Sequence, residues 1–158
     1  MTRVGIGYDS HRFTPGRPLI LGGQRIPHDA GLAGHSDADA VAHAVTDAIL
    51  GAAAAGDIGT HFPDSDPRWK DADSMALLCS ARAIVERAGY RVVQADVTVI
   101  AEAPKLGPHA AAIAAAVAAA LGVPVRNVGL KAKTNEGMGW IGRGEGIAVI
   151  AVATVEAS

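Results

Sequence analysis

"RVVQADVTVIAEAPKLGPHAAAIAAAVAAALGVPVRNVGLKAKT", residues Arg91 to Thr134, holds three elements in a row. Arg91 to Ala101 is rich in β-branched residues and reads as a strand. Pro108 suits the first turn of a helix, and Gly122 suits its end. Val125 to Thr134 reads as another strand. Strand, helix and strand together predict a right-handed crossover unit.

On the N-terminal side, "RVGIGYD" (Arg3 to Asp9) alternates like a strand, and "PLILGGQRI" (Pro18 to Ile26) like a small hairpin around Gly22 and Gly23. Ser36, with Asp39 three residues on, predicts the start of a helix running to about Leu50. Gly56 to Ser74 is a Gly-, Pro- and Asp-rich loop of the kind that often carries function. A second helix is expected from Ser74 to Ala88, with Leu77, Leu78, Ala81, Ile84, Val85 and Ala88 on its apolar face. After Thr134 a glycine-rich turn leads to a last strand near Ile147 to Val155. The expected fold is α+β: one domain over residues 1–158, a mixed sheet with helices packed on one face.

Composition narrows the function. The 158 residues carry a net charge of -2, which gives no basic excess for a nucleic-acid partner. The one cysteine, Cys79, excludes an internal disulfide or a CxxC zinc site and is expected to be a small buried residue. The opening residues have no long apolar run, and Ala110 to Val123 is too short for a bilayer. No membrane association and a cytoplasmic location are expected.

The chemistry concentrates in two places. Asp9 and His11 stand two apart at a strand end and so point to one side. With His43 from the first helix they form one carboxylate and two imidazoles, a normal donor set for a catalytic zinc. A lone D-x-H is also what an ordinary turn looks like. The helix shifts the balance, because Asp39, His43 and Asp47 share one face and either aspartate could orient the imidazole. His35 and Ser36 stand at the helix entrance, where free N–H groups favour a phosphate. The second place is "KAKTNEGMGWIGRGEG" (Lys131 to Gly146), in which Thr134 and Glu136 leave a strand into a glycine-rich loop. An acidic residue there suits a hard cation shared with phosphate oxygens. Lys105, after a strand end, could meet a phosphate. Asp57 and the run Phe62 to Asp66 could bond sugar hydroxyls, whereas Trp69 and Met75 read as packing residues.

Together, "GIGYDSHRF", "LILGGQRIP", "GLAGHSDADAVAHAVTDAILGAAAAGDIGTHFPDSDPRWKDADS", "DVTVIAEAPK" and "LKAKTNEGMGWIGRGEGIA" resemble the 2-C-methyl-D-erythritol 2,4-cyclodiphosphate synthase family over nearly the whole chain. The resemblance implies a metal-dependent lyase of the non-mevalonate isoprenoid pathway, which closes a cytidine diphosphate substrate on itself and releases CMP. It implies Zn2+ at Asp9, His11 and His43, and Mg2+ or Mn2+ at Glu136 with substrate phosphates. His35 and Thr134 take catalytic roles in holding phosphate. The implied substrate contacts are Asp9, His11, His35, Ser36, Asp57, Ile58, Gly59, Phe62, Asp64 and Asp66, followed by Ala101, Ala103, Pro104, Lys105, Lys133, Thr134, Asn135, Glu136, Trp140 and Arg143. The resemblance also implies a homotrimer with sites between subunits, and a central cavity that can hold an isoprenoid diphosphate near Arg143. The chain departs from the family's usual pattern at Ala38, where glycine is common, at Lys133 and Asn135, where threonines are, and at Trp140, where phenylalanine is. Two rival functions are a zinc-dependent phosphoester hydrolase and a non-catalytic prenyl-diphosphate-binding trimer.

Overall fold

The computed structural model describes residues Met1–Ser158. In chain order its elements are β1 (Thr2–Thr14), β2 (Leu19–Leu21), β3 (Gln24–Ile26), β4 (Gly31–Leu32), α1 (Ala40–Ala52), α2 (Ile58–His61), α3 (Ser74–Arg87), β5 (Tyr90–Ile100), α4 (Ala110–Leu121), β6 (Val128–Lys133), α5 (Gly139–Gly142) and β7 (Gly146–Ala157). β5, α4 and β6 form the expected crossover, with β5 and β6 paired in parallel from Ala95–Val128 to Ile100–Lys133. All other pairings in the five-stranded sheet, ordered β4-β1-β7-β5-β6, are antiparallel, so the sheet is mixed. β2 and β3 make a separate hairpin whose turn residues Gly22 and Gly23 have φ of 57° and 72°. Left-handed backbone at both positions is what a type I′ two-residue hairpin loop demands.

The close fit of α1 on β1 positions the chemistry. β1 alternates: Gly5 and Gly7 are buried, while Val4, Ile6 and Tyr8 are exposed. A Cβ on Gly7 would stand 1.8 Å from the Ala44 carbonyl oxygen, and one on Gly5 2.0 Å from that of Ala48. Glycine on the strand and alanine on the helix thus let the two backbones touch. Val41, Val45 and Ile49 of α1 are fully buried, each contributing about 1.5–3 kcal/mol. α3 and α4 extend the same layer across β5 and β6, around one continuous apolar core. The other sheet face stays open: Val4, Ile6 and Tyr8 are 64%, 68% and 56% exposed, and Ile150 and Val152 join them.

The structure corrects several boundaries. β1 runs on to Thr14, so Asp9 and His11 lie inside a strand, held by pairing to Val149 and Ile147 of β7. The N-cap of α1 is Asp39, which accepts from Ala42 N–H, and not Ser36. Ala38 has φ 57°, and a helix cannot pass through that left-handed residue. β6 starts at Val128 after a single 3₁₀ turn over Val125–Asn127. α3 stops at Arg87, which leaves Ala88 exposed as its C-cap, and Cys79 lies exposed on the helix instead of buried. The long loop contains α2 and a 3₁₀ turn at Pro67–Trp69, and the glycine-rich turn contains α5.

Candidate metal centre and clefts

Strand alternation puts Asp9 and His11 on the face that α1 covers, and α1 lowers His43 onto them. Asp9 Oδ2 lies 2.8 Å from His11 Nε2 and 3.2 Å from His43 Nδ1, and the two ring nitrogens are 3.3 Å apart. These are the ligand atoms of one cation site. Tetrahedral ligands about 2.0–2.2 Å from a common ion stand roughly 3.3–3.6 Å from each other. The His43 contacts are close to that spacing, and the Asp9–His11 contact is a hydrogen bond that the ion would open slightly. One carboxylate and two imidazoles, all partly buried, fit a divalent metal.

The rings are also fixed from behind. His11 Nδ1 donates to the Ala33 carbonyl at 2.7 Å, which leaves Nε2 facing Asp9. Gly34 packs so near that a Cβ there would lie 3.2 Å from His11 Cε1. Burial pushes the Asp9 carboxyl up, but hydrogen bonds and charge from His11 and His43 outweigh this and hold it below its ordinary value. Burial likewise pushes His11 down, and the Asp9 hydrogen bond and charge raise it on balance above 6.5.

Neither aspartate expected to orient His43 does so. Asp39 is fully buried and accepts from Gly22, Gly23 and Ala42 N–H groups, tying the hairpin turn to the start of α1. Burial pushes its carboxyl up to about 6 against those three donors. Asp47 accepts from Ile58 N–H at 2.8 Å and caps the chain entering α2. The groups that do meet His43 Nε2 are Ser74 Oγ at 2.8 Å and Ser36 Oγ at 3.2 Å. Sequence reading missed Ser74, which looks like an ordinary helix start. It also missed Arg17, whose guanidinium grips the Gly34 and Ser36 carbonyls.

The other site residues fall into separate places. One cleft of about 360 Å³ is lined by His11, His35, Ser36, His43, Ile58, Gly59, Phe62 and Asp64, and also by Trp69. Trp69 packs edge-on to Phe62, so the residue taken as packing is cleft wall as well. The Asp66 carbonyl meets His35 Nε2 at 3.1 Å, while its carboxylate pairs with Arg68. Asp57 lies outside the cleft wall, exposed, bonded to Thr60. A second cleft, also about 360 Å³, is lined by Ala101, Pro104, Lys105, Lys133 and Thr134. Ala103 adjoins it in sequence. The two clefts share no residue. Asn135 and Glu136 follow on the loop: Asn135 Nδ2 donates to the Met138 carbonyl, and Glu136 N–H to Thr134 Oγ1. Glu102, between Ala101 and Ala103, accepts from Gly137 N–H at 2.7 Å. Trp140 lines a small recess with Ser10, His11, Arg12 and Glu145, and Arg143 pairs with Glu145 at 2.6 Å.

Comparison with known proteins shows which family the chain is similar to. The model of the YgbB family matches residues 2–156. A 2-C-methyl-D-erythritol 2,4-cyclodiphosphate synthase of Bordetella avium (strain 197N) is 61% identical over 150 residues, 95% of this chain and 93% of that one. Among solved structures, the bifunctional IspDF of Campylobacter jejuni superposes with a TM-score of 0.96 at 40% identity, with all of this chain matching 43% of that longer one. A 2C-methyl-D-erythritol-2,4-cyclodiphosphate synthase in its CDP-bound form superposes with a TM-score of 0.89 at 41% identity, over 98% of this chain and 100% of that one.

Proposed function

The chain belongs to the YgbB family, and from that premise we infer that it catalyses the cyclodiphosphate synthase reaction. Its substrate is 4-diphosphocytidyl-2-C-methyl-D-erythritol 2-phosphate. An oxygen of the 2-phosphate bonds to the β-phosphorus, the link from that phosphorus to the α-phosphate oxygen breaks, and CMP leaves. The product is 2-C-methyl-D-erythritol 2,4-cyclodiphosphate, an intermediate of the non-mevalonate route to isoprenoids. No water and no protein nucleophile enters.

The observation that carries the reading is the convergence of Asp9, His11 and His43 beside His35 and Ser36. Divalent ions, Zn2+ at Asp9, His11 and His43 and Mg2+ or Mn2+ at Glu136, supply positive charge to the phosphoryl oxygens when bound. The chain's own residues bind and align. His35 and Ser36 hold the 2-phosphate. Ile58, Gly59, Phe62 and Asp64 wall the space for the methylerythritol body, with Asp66 holding His35 from behind. Asp57, exposed, takes the ribose. Ala101, Ala103, Pro104, Lys105, Lys133, Thr134 and Asn135 take the cytidine diphosphate end, with Thr134 on the diphosphate. Alignment within one molecule can lower a barrier by about 7–11 kcal/mol in favourable cases, so positioning plus charge is enough in kind.

The two clefts share no wall, so the reading needs a neighbouring copy to bring the cytidine cleft of one chain to the metal centre of another. The open face at Val4, Ile6, Tyr8, Ile150 and Val152 is the surface such a homotrimer would bury. In such a trimer, Trp140 and Arg143 would be the residues to meet an isoprenoid diphosphate in the central cavity.

The test is a phosphorus NMR time course with metal-stripped protein, substrate, and then zinc and magnesium in turn. CMP and a cyclic diphosphate should appear together, and His43→Ala should lower the rate by on the order of a hundredfold or more. An open-chain product carrying solvent oxygen would mean hydrolysis instead. Folded, metal-loaded protein without turnover would sink the reading.

A further inference from the structure

We propose that Ser74 and Asp37 are positioning residues for His43, forming a relay that fixes which ring nitrogen faces the metal. His43 Nδ1 is the atom turned toward Asp9 and His11, so Nε2 must carry the ring proton when a metal is bound. Ser74 Oγ stands 2.8 Å from Nε2 and is fully buried. Its own hydroxyl proton is directed to Asp37 Oδ1 by a hydrogen bond. A serine that donates to a carboxylate has only lone pairs left for the ring, so the relay runs one way: His43 Nε2–H to Ser74 Oγ, and Ser74 O–H to Asp37.

Asp37 is itself locked. Its Oδ2 accepts from Ser74 N–H at 3.1 Å, its Oδ1 from Asp39 N–H at 3.2 Å, and its own N–H donates to the Ala72 carbonyl. The relay therefore joins the residues before α1 to the first residue of α3, and the metal ligand stands between them. The arrangement also sorts the two serines. Ser36 Oγ lies farther from Nε2, at 3.2 Å, and accepts from Ala38 N–H. With Ser74 taking the ring proton and giving its own to Asp37, the Ser36 hydroxyl can donate either to Ser74 Oγ at 3.3 Å or to a phosphate oxygen in the cleft it lines. Partners behind metal-bound histidines fix ring orientation and raise ligand basicity.

The inference rests on the metal-centre reading, so the experiment begins with zinc titration of the parent against a chromophoric chelator. A parent that binds no zinc at Asp9, His11 and His43 would overturn that reading and the relay with it. Given a zinc-binding parent, Ser74→Ala should bind zinc roughly 10–100-fold more weakly. Asp37→Asn should lose less, because Ser74 Oγ still accepts. Thermal unfolding of the metal-free variants separates a folding defect from a binding defect. In the zinc-loaded parent the His43 Nε2–H should give a protected ring-proton NMR signal, absent in Ser74→Ala. Zinc affinity within twofold of the parent in folded Ser74→Ala would overturn the relay alone. If Ser74→Ala does not fold, the absence of a protected His43 ring proton in the loaded parent would do the same.

Discussion

The metal centre and the Glu136 loop are built on opposite plans. At Asp9, His11 and His43, three ligand atoms already meet, and each ring is held from behind by another group. Glu136 is exposed at φ 53° in a loop of glycines, with an unpaired carboxylate and one acidic ligand to offer. The first arrangement can hold an ion before substrate arrives. The second has too few ligands to do so, and the cation proposed there would need substrate phosphates to complete its shell. In the proposed site, one end would be preformed and the other assembled in use.

The largest blow to this contrast is aimed at the rigid half. In Gly7→Ala the new methyl would collide with the Ala44 carbonyl, and α1 would have to lift from β1. Overpacking of this kind costs about 1–3 kcal/mol of stability, occasionally more. A ligand displaced by about 1 Å lowers turnover by on the order of a hundredfold. Calorimetry and zinc content measure both effects. Normal stability together with full zinc loading would show that the backbone contact does not set the centre.

Glu136→Gln should act on the other half alone. The magnesium concentration for half-maximal turnover should rise roughly tenfold, a loss of about 1.4 kcal/mol, while zinc content stays unchanged. A variant that also loses zinc would break the division between the halves.

A smaller effect should appear with pH in metal-free protein. Asp9 is held below 3.8, so its contribution to stability is present above 3.8 and is lost as pH falls through its depressed value. His11 is raised above 6.5, so its contribution is full below 6.5 and is lost as pH rises through its raised value. The parent should therefore gain most over His11→Gln between about pH 4 and 6.5, read as the difference in unfolding temperature. A difference that does not vary with pH would deny the Asp9–His11 pair its role.

The sequence exposed the periodic parts of the molecule. The crossover, the hairpin turn and the faces of α1 and α3 follow from β-branched runs, paired glycines and apolar spacing. Asp9, His11 and His43 were legible because two of them share a strand face and the third sits in a polar stripe. The division of the remaining site residues came through family resemblance, because periodicity assigns a residue to a face without saying what lies opposite. Ser74 shows the limit. It stands 31 residues from the ring it holds, behind a helix start with its own capping reason in Asp73. The misplaced N-cap has a local cause: Ser36 and Asp39 make a plausible box, but Ala38 between them takes a backbone conformation that glycine adopts without strain.

The contact of β1 with α1 has a further consequence. Side-chain cores absorb substitutions by repacking, but two main chains in contact have no rotamers with which to yield. The spacing between strand and helix therefore works as a mechanical stop. Changes elsewhere in the core can soften the protein without moving the three ligands apart, whereas one added carbon on the glycines at the stop misaligns them all.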